Sequence, residues 1–352
     1  MKVLLGLSGG VDSSVAAFLL KQEGFDVTAG FMRNWEDDDG SPYCSIKEDF
    51  MDAAQIADKL SIDLVQMNFA KEYKDKVFSY FLDELNKGKT PNPDIYCNKF
   101  IKFKEFTDYA FKNDFDAIAT GHYSKIQVID KEYFLAKSYD QGKDQTYFLS
   151  QIDKNLFPKI KFPLGNLLKS DVRKIAEEEN LITYDKKDST GICFIGERPF
   201  PEFLKNYLPI SQGDIVDETN KKIGSHNGLH FYTIGQRQGL GIGGLKNRDE
   251  KPWYVAKKNF DENQLMVVQD NNHPLLLRKE LSVSKMNWLK YPSSKRISAK
   301  IRYRQKDQSC QVEIQEDKIS VLFDEPQRAV TPGQFIVFYE DEICLGGGEI
   351  DI

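Results

Sequence analysis

The chain has 352 residues, of which 40% are hydrophobic and 29% charged, and its formal net charge at pH 7 is −6. This composition is typical of a folded globular protein, and the length favours two or three domains over a single core. No apolar run reaches the roughly 18–20 residues of a membrane-spanning helix, so we expect no membrane association. The first apolar run is too short for a secretory signal, and no import sequence is evident, so we expect a cytoplasmic location.

The first part of the chain alternates short apolar strands with amphipathic helices. Strands are predicted over 2–7, 27–32, 63–68 and 116–120, and helices over 12–23, 47–60, 71–86 and 98–113. This alternation predicts an α/β domain with a parallel sheet. Ligands of such sheets bind at the carboxyl ends of the strands, so the loops after Leu7, Met32 and Thr120 should line one site. A hairpin over 123–136, turning at Asp130 and Lys131, and a helix capped by Ser170 follow.

Beyond Pro199 the pattern changes to short strands and glycine-rich turns, and from about Leu275 it predicts only β-structure. Strands over 297–303, 309–314 and 319–323 are typical of a small β-barrel. We therefore expect three domains, over 1–200, 201–272 and 273–352.

Positive charge is concentrated in the segment 275–311. This segment holds ten lysine and arginine residues against two acids, a local charge of +8, so the remainder of the chain carries −6 − 8 = −14. A basic block in an acidic protein indicates a polyanionic partner on one face. A solvated strand surface rich in lysine explains the same composition, and charge alone does not decide between the two.

The segment 8–14, SGGVDSS, lies between the first predicted strand and the first predicted helix. Its glycines let the backbone approach a phosphate closely, and its amide groups and the helix N-terminus favour an anion. The loop lacks the Gly-Lys-Ser/Thr of a Walker A site, which disfavours γ-phosphoryl transfer. It resembles instead the pyrophosphate loop (PP-loop) of ATP pyrophosphatases, which attach AMP to a carbonyl oxygen so that a nucleophile can replace it. Asp12 either holds Mg²⁺ or caps the helix.

Cys97 is a candidate nucleophile because it follows a proline-bounded loop and directly precedes the predicted helix 98–113. The helix N-terminus, with Lys99 and Lys102 one turn further on, favours a thiolate. Asp94 is close enough in sequence to act as an acid or base, or only as a cap.

Cys193 lies between Gly191 and Gly196, in a loop that can carry a thiol over some distance. A pair of reactive thiols suits sulfur transfer, in which one carries a persulfide and the other resolves it through a transient disulfide. The alternative is that each cysteine is a small buried hydrophobic residue. No CxxC pair is present, and we expect no permanently bound metal. Three cysteines have no comparable setting and are expected to be structural: Cys44, Cys310 and Cys344.

Six separated motifs make the chain resemble the bacterial tRNA-specific 2-thiouridylase family over nearly its full length. They are SGGVDSS at 8–14, TPNPDIYCNKFIKF at 90–103, TGHY at 120–123, KDQTYFL at 143–149, DSTGICFIG at 188–196 and GLHFYTIGQRQGLGIGG at 228–244. The resemblance implies a PP-loop catalytic domain of the adenine-nucleotide α-hydrolase-like type, a small central domain and a C-terminal β-barrel. It implies ATP-dependent replacement of the C2 oxygen by sulfur at the wobble uridine of the lysine, glutamate and glutamine tRNAs.

The resemblance also implies roles for individual residues. Cys97 would be the nucleophile and Cys193 the persulfide carrier, with a disulfide between them after turnover, and Asp94, where many members have cysteine, would be free to act as base. ATP, with Mg²⁺, would be bound by Gly6, Leu7, Ser8, Gly9, Gly10, Val11, Asp12, Ser13, Met32 and Gly121. The target base would be contacted by Asn92, Pro93 and Asp94, and the tRNA by His122, Lys143, Asp144, Gln145, Arg302, Tyr303 and Gln334. A cysteine desulfurase or a sulfur-carrier protein would donate the sulfur.

The residues themselves leave alternatives open. His122 also suits a core or turn histidine, and Asp144 suits a helix cap. Arg302 and Arg304 on one face of a strand, with Tyr303 on the other, suit either RNA contacts or an exposed barrel strand.

Two other functions are compatible with the loop alone. One is an ATP-dependent amidating ligase, although residue 2 is Lys2 rather than a glutaminase cysteine and no ammonia-producing domain is visible. The other is a non-catalytic RNA-binding module that retains a nucleotide loop.

Overall fold

The computed structural model of the chain describes residues 1–36, 46–188, 200–242, 251–316 and 318–352. Strands within these residues belong to a parallel sheet, a small mixed sheet and a larger antiparallel sheet. The strands are β1 (Lys2–Gly6), β2 (Asp26–Arg33), β3 (Leu64–Asn68), β4 (Ala117–Thr120), β5 (Lys125–Ile129), β6 (Glu132–Ala136), β7 (Ile160–Lys161), β8 (Gly213–Val216), β9 (Lys222–His226), β10 (Trp253–Asn259), β11 (Gln264–Gln269), β12 (Leu277–Trp288), β13 (Arg296–Lys300), β14 (Gln308–Gln315), β15 (Lys318–Arg328), β16 (Phe335–Glu340) and β17 (Ile343–Asp351).

The parallel sheet has the strand order β3-β2-β1-β4-β7, which confirms the predicted α/β class. The strand β1 is buried on both faces from Val3 onward, as expected of a central parallel strand covered by helices. The α-helical segments are Val11–Gln22, Ile46–Leu60, Ala70–Tyr73, Ser79–Asn86, Pro93–Tyr96, Phe106–Lys112, Thr146–Leu149, Lys169–Glu178 and Phe200–Leu204. Segments Lys74–Phe78 and Cys97–Glu105 are π-helical and continue their neighbours.

The helix predicted to begin after Cys97 begins earlier, at Pro93. The Asn92 side chain accepts hydrogen bonds from the backbone N–H of Asp94 at 3.1 Å and of Ile95 at 3.3 Å. Asn followed by Pro is a strong helix-start signal, because Asn caps the free amides and Pro lacks the amide that would be unpaired. The expected position of Cys97 directly before the helix was therefore wrong; Cys97 lies within it.

The antiparallel sheet contains a closed barrel with the strand order β12-β15-β14-β13-β16-β17, completed by pairing of β12 with β17. The predicted hairpin forms as β5 and β6, and Asp130 and Lys131 take the left-handed backbone of a tight two-residue turn. This hairpin joins the barrel sheet where Ala136 pairs with Ile343. The N-terminal α/β part and the barrel are thus hydrogen-bonded to each other.

Side-chain hydrogen bonds account for two further differences between the predicted boundaries and the structure. The strand predicted over 297–303 ends at Lys300, since the Gln305 side chain accepts the Ile301 N–H at 2.9 Å and the chain turns there. The helix expected to be capped by Ser170 begins at Lys169, and Asp171 accepts the N–H of the capping residue Leu168 at 3.3 Å.

The strands of the small mixed sheet, β10-β11-β8-β9, lie in the sequence between the parallel sheet and the barrel strands. No helix among the described residues is long and apolar enough to cross a bilayer.

Candidate active site

The glycine loop is held by hydrogen bonds among its own serines. Ser8 N–H donates to Ser13 Oγ at 3.2 Å, and Ser13 Oγ and Ser14 Oγ donate to Gly10 O at 3.0 and 2.9 Å. Gly9 has φ +73, and a Cβ there would overlap the Asp49 carbonyl, so this position requires glycine. The loop is therefore closely packed and leads directly into helix Val11–Gln22.

The ends of three parallel strands meet at this loop, as predicted. A Cβ on Gly121, after β4, would lie 2.8 Å from Ser13 N. Met32 Cε, on β2, lies 3.1 Å from the position of a Cβ on Gly6 at the end of β1. The residues expected to bind ATP are thus brought together, while their contacts with ATP remain a prediction.

Asp12 binds side chains from elsewhere in the fold rather than capping its helix. The cap residue is Gly10, and no side chain caps the helix. Asp12 Oδ1 instead accepts hydrogen bonds from Tyr123 OH at 2.8 Å and Lys169 Nζ at 2.6 Å. Burial and the nearby Asp12 carboxylate raise the pKa of Tyr123, so this hydroxyl remains a donor at neutral pH. This leaves the Mg²⁺ interpretation of Asp12 open and removes the cap interpretation.

Three cations surround Asp188 beside the loop. Lys169 Nζ lies 2.8 Å from Asp188 Oδ1, Arg173 Nη2 2.9 Å from the same oxygen, and Lys143 Nζ 2.8 Å from Oδ2. Although burial alone would raise it, hydrogen bonds and charges from Lys143 and Lys169 lower the pKa of Asp188 to about 2. Because Lys169 also binds Asp12, this charge cluster is directly connected to the PP-loop.

Sequence reasoning missed most of this cluster. Lys169 and Arg173 were not proposed as site residues, although their spacing of four places them on one face of helix Lys169–Glu178. Lys186 was also missed; its Nζ donates to Gly9 O at 2.9 Å and contacts Asp49 at 2.8 Å. Only the four-residue spacing of Lys169 and Arg173 could have indicated a shared role for them, since nothing in the sequence places them beside Asp12.

Cys97 is fully buried in an apolar cluster that joins residues of the N-terminal part to barrel residues such as Phe335. Its helical neighbours bind the segment that follows Gln145: Asn98 Nδ2 donates to Phe148 O at 3.3 Å, and Lys99 Nζ donates to Gln151 Oε1 at 2.9 Å. The helix carrying Cys97 is therefore fixed on several sides.

The other cysteines divide into two groups. Cys193, the predicted persulfide carrier, and Cys44 lie outside the described residues. Cys310 and Cys344 are buried in the barrel, where burial raises the pKa of each thiol to about 12. Unreactive thiols of this kind suit the structural role expected for these two.

The predicted tRNA-contacting residues of the N-terminal part differ in exposure. His122 is half-buried, its Nδ1 is 2.8 Å from Thr120 Oγ1, and burial, with a smaller effect of Lys102, lowers its pKa well below the ordinary histidine value. Asp144 is buried and accepts hydrogen bonds from Ser138 N–H at 3.1 Å and Thr146 Oγ1 at 2.7 Å. These bonds hold the Asp144 carboxylate inside the protein; the residue that caps the following short helix, Thr146–Leu149, is Gln145 rather than Asp144.

Gln145 and the barrel residues connect the predicted tRNA-contacting segments to one another. The Gln145 side chain accepts the Tyr123 N–H at 2.9 Å. Tyr303 OH donates to Lys143 O at 3.4 Å, and Gln334 Nε2 donates to Thr90 O at 2.7 Å. The barrel thus contacts both the 143–149 motif and the segment that leads to Asn92, Pro93 and Asp94.

The basic block is partly used inside the protein. Arg302 Nη2 donates to Ala329 O at 2.8 Å, and four other cations of the block pair with acids of the chain. These four are Lys285, Lys290, Arg296 and Lys300. The positive charges of the block that have no acidic partner among the described residues are therefore those of Arg302, whose acceptor is a neutral carbonyl, and of the remaining five: Arg278, Lys279, Lys295, Arg304 and Lys306.

A cavity of about 770 Å³ lies between the small mixed sheet and the barrel. Lys258, Phe260, Leu275 and Arg278 are among its lining residues, and none of the predicted site residues is. Burial lowers the pKa of Lys258 to about 8. The cavity is thus separate from the nucleotide loop.

No group of three or more metal-ligating side chains is arranged to hold an ion within the described ranges. His226 and His230 lie four residues apart, but His226 Nδ1 accepts the Gly228 N–H at 3.1 Å and Nε2 is 3.1 Å from Asn263 O. Both nitrogens of His226 thus have partners within the protein.

The parallel sheet, the SGGVDSS loop after its central strand and the charge cluster beside that loop define the class of PP-loop ATP pyrophosphatases. Family models described as "tRNA methyl transferase HUP domain", "tRNA methyl transferase PRC-barrel domain" and "Aminomethyltransferase beta-barrel domain" match residues 1–197, 201–269 and 278–350. Two relatives named tRNA-specific 2-thiouridylase MnmA, from Francisella tularensis subsp. novicida and subsp. mediasiatica, are each 54% identical over 99% of this chain and 99% of their own. The chain belongs to the tRNA-specific 2-thiouridylase family, whose members are tRNA-uridine 2-sulfurtransferases.

Among solved structures, a 4-thiouridine synthetase–RNA complex with bound ATP is 16% identical, with 58% of this chain and 49% of that chain covered and a TM-score of 0.34. NMN synthetase from Francisella tularensis is 20% identical, with 53% and 66% covered and a TM-score of 0.33. At these TM-scores neither similarity supports a conclusion about function.

Proposed function

We propose that this chain replaces the C2 oxygen of the wobble uridine in the lysine, glutamate and glutamine tRNAs by sulfur, with ATP converted to AMP and pyrophosphate. The observation that carries the proposal is the connection of the PP-loop, through Asp12, to the cations around Asp188. A site with several cations beside a glycine loop suits a polyphosphate, which must be bound before the reaction and released as pyrophosphate after it. In this scheme residues 1–200 form the catalytic domain, 201–272 a central domain and 273–352 the tRNA-contacting barrel.

The polyphosphate of ATP would bind to the loop amides and to Lys143, Lys169 and Arg173. Asp188 holds these cations beside the loop and accepts their hydrogen bonds. The phosphates of ATP would replace the Asp188 carboxylate as the acceptors of these bonds. Asp12 and Asp188 supply the carboxylate oxygens that Mg²⁺ prefers. Mg²⁺, when bound with ATP, would neutralise phosphate charge and ease departure of pyrophosphate.

Attachment of AMP converts the uridine O2 into a leaving group. The base must leave its stack to reach the site, and Asn92, Pro93 and Asp94 are proposed to receive it. Asp94, at the first turn of the helix carrying Cys97, is proposed to act as the base.

Sulfur would arrive as a persulfide on Cys193, donated by a cysteine desulfurase or a sulfur-carrier protein. In one route the Cys97 thiolate attacks the Cys193 sulfur of this persulfide, and hydrosulfide leaves to attack C2. In the other route the terminal sulfur attacks C2 first, and Cys97 then cleaves the resulting Cys193 adduct. In both routes AMP departs with the former O2, a Cys97–Cys193 disulfide forms, and a cellular thiol reduces it in the cytoplasm.

The test is mass spectrometry of nucleosides from unmodified tRNA incubated with the protein, ATP, Mg²⁺, a cysteine desulfurase with cysteine as the persulfide donor, and a thiol reductant. We expect 2-thiouridine and AMP to appear in equal amounts, and neither product without ATP. Incorporation of ammonia into a small molecule would support an amidating ligase instead. Binding of tRNA with no conversion of ATP to AMP would support a non-catalytic RNA-binding protein.

Arg302→Ala is expected to weaken tRNA binding severalfold and to reduce the dependence of affinity on salt, because one phosphate contact is lost. The measurement is the dissociation constant for tRNA at several salt concentrations. Arg296→Ala is the matched control, since Arg296 belongs to the same basic block but its charge is paired with Asp324, whereas Arg302 bonds the neutral Ala329 carbonyl. Equal affinity of the Arg302 variant and wild type at every salt concentration would show that Arg302 serves only its bond to Ala329.

A further inference from the structure

Glu349 is a fully buried carboxylate in β17 that binds three side chains. Its Oε1 accepts hydrogen bonds from Tyr96 OH at 2.5 Å and from Tyr80 OH, and its Oε2 lies 3.1 Å from Lys285 Nζ. Burial, and then the bond to Glu349, raise the pKa of both tyrosines, so both remain donors. A buried charge is costly unless it is paired, so the position of this carboxylate depends on these partners.

The barrel backbone is irregular where it supplies the cation. Lys285 has φ +49, and the pairing of β12 with β17 shifts register between Ser284 and Asn287. A left-handed backbone is unfavourable for lysine, and a bulge of this kind redirects a side chain. The strained residue is the one that pairs with Glu349.

Tyr96 directly precedes Cys97 on the same helix. Its ring stacks on Phe100, with centroids 5.7 Å apart, and meets Phe335 of the barrel edge-on at 5.7 Å. The hydroxyl bond to Glu349 therefore fixes one end of a ring that is packed against both the helix and the barrel.

Two further connections join the barrel to residues on either side of Cys97. Thr90 N–H donates to Pro332 O at 2.8 Å, before the cysteine in the sequence. After it, Lys99 binds Gln151, whose Nε2 donates to Gly347 O of β17 at 2.5 Å. The barrel thus holds the helix of Cys97 and the segment before it at several points, and at Glu349 the contact is made by a buried charge.

We propose that Glu349 is a positioning residue, which through Tyr96 holds the helical turn of Cys97 in the orientation required for sulfur transfer. This inference rests on the proposed role of Cys97 as the nucleophile. Glu349 itself touches neither the nucleotide loop nor the charge cluster around Asp188, so it acts on kcat rather than on binding.

The test compares two variants that each remove one hydroxyl from Glu349 Oε1. Tyr96→Phe removes the one next to Cys97, and we expect kcat for 2-thiouridine formation to fall on the order of tenfold, with KM for ATP and tRNA within about twofold. Tyr80→Phe removes the other and is the matched control; we expect a similar loss in thermal stability and kcat within about twofold of wild type.

Equal kcat values for the two tyrosine variants would overturn the proposal, because the bond would then be purely structural. Glu349→Gln, which keeps an acceptor, should retain more kcat than Glu349→Ala at a temperature where both are folded; equal losses would also contradict it. Wild-type protein that forms no 2-thiouridine would instead overturn the proposed function, and an active Cys97→Ser variant would overturn the role of Cys97.

Discussion

Cys97→Ser and Cys193→Ser are each expected to abolish activity, with the rate of 2-thiouridine formation falling on the order of 10³-fold or more. The dissociation constant for ATP should stay within about twofold of wild type. A hydroxyl at either position can neither carry a persulfide nor form the disulfide that ends the reaction. ATP binding should survive because the PP-loop and the charge cluster include neither cysteine. The measurements are nucleoside mass spectrometry for activity and calorimetry for ATP affinity.

Cys310→Ala is the control for the general loss of a buried thiol, since Cys310 lies in the barrel core away from the loop. It should lower thermal stability slightly and retain most of the activity. Wild-type activity in the Cys97 or the Cys193 variant would remove that cysteine from the mechanism.

Lys169→Ala should lower kcat/KM for ATP by roughly 10²-fold or more, because Lys169 bridges Asp12 and Asp188 beside the loop. The fold should persist, since Asp188 retains its pairs with Lys143 and Arg173. ATP affinity by calorimetry and inhibition by added pyrophosphate are the measurements, and both should weaken.

Lys174→Ala provides the matched control on the same helix. Lys174 is 72% exposed and pairs only loosely with Glu178, at 3.7 Å. Its replacement should leave ATP affinity unchanged. If the Lys169 variant bound ATP and pyrophosphate as wild type does, the charge cluster would be a structural network rather than part of the nucleotide site.

The sequence was less informative where a single side-chain hydrogen bond determines the point at which a strand ends or a helix begins. It predicted Arg302 and Tyr303 on a strand, but Gln305 ends the ladder by binding the Ile301 amide, and both residues lie in the turn. The bond between the Gln305 side chain and the Ile301 amide, four residues apart, produces no periodic pattern in the sequence. It also placed Cys97 before its helix, because the capping role of Asn92 was not recognised.

Local patterns were sufficient for the α/β class, the barrel and the nucleotide loop, because each depends on neighbouring residues: apolar strands, glycine turns and the contiguous SGGVDSS segment. Folding in three dimensions was needed to show which charges face that loop. Lys169 lies 157 residues from Asp12, and Glu349 lies 253 residues from Tyr96. Contacts at such separations depend on the order of strands in the sheet and on the docking of the barrel, and neither leaves a periodic trace in the sequence around the residues concerned.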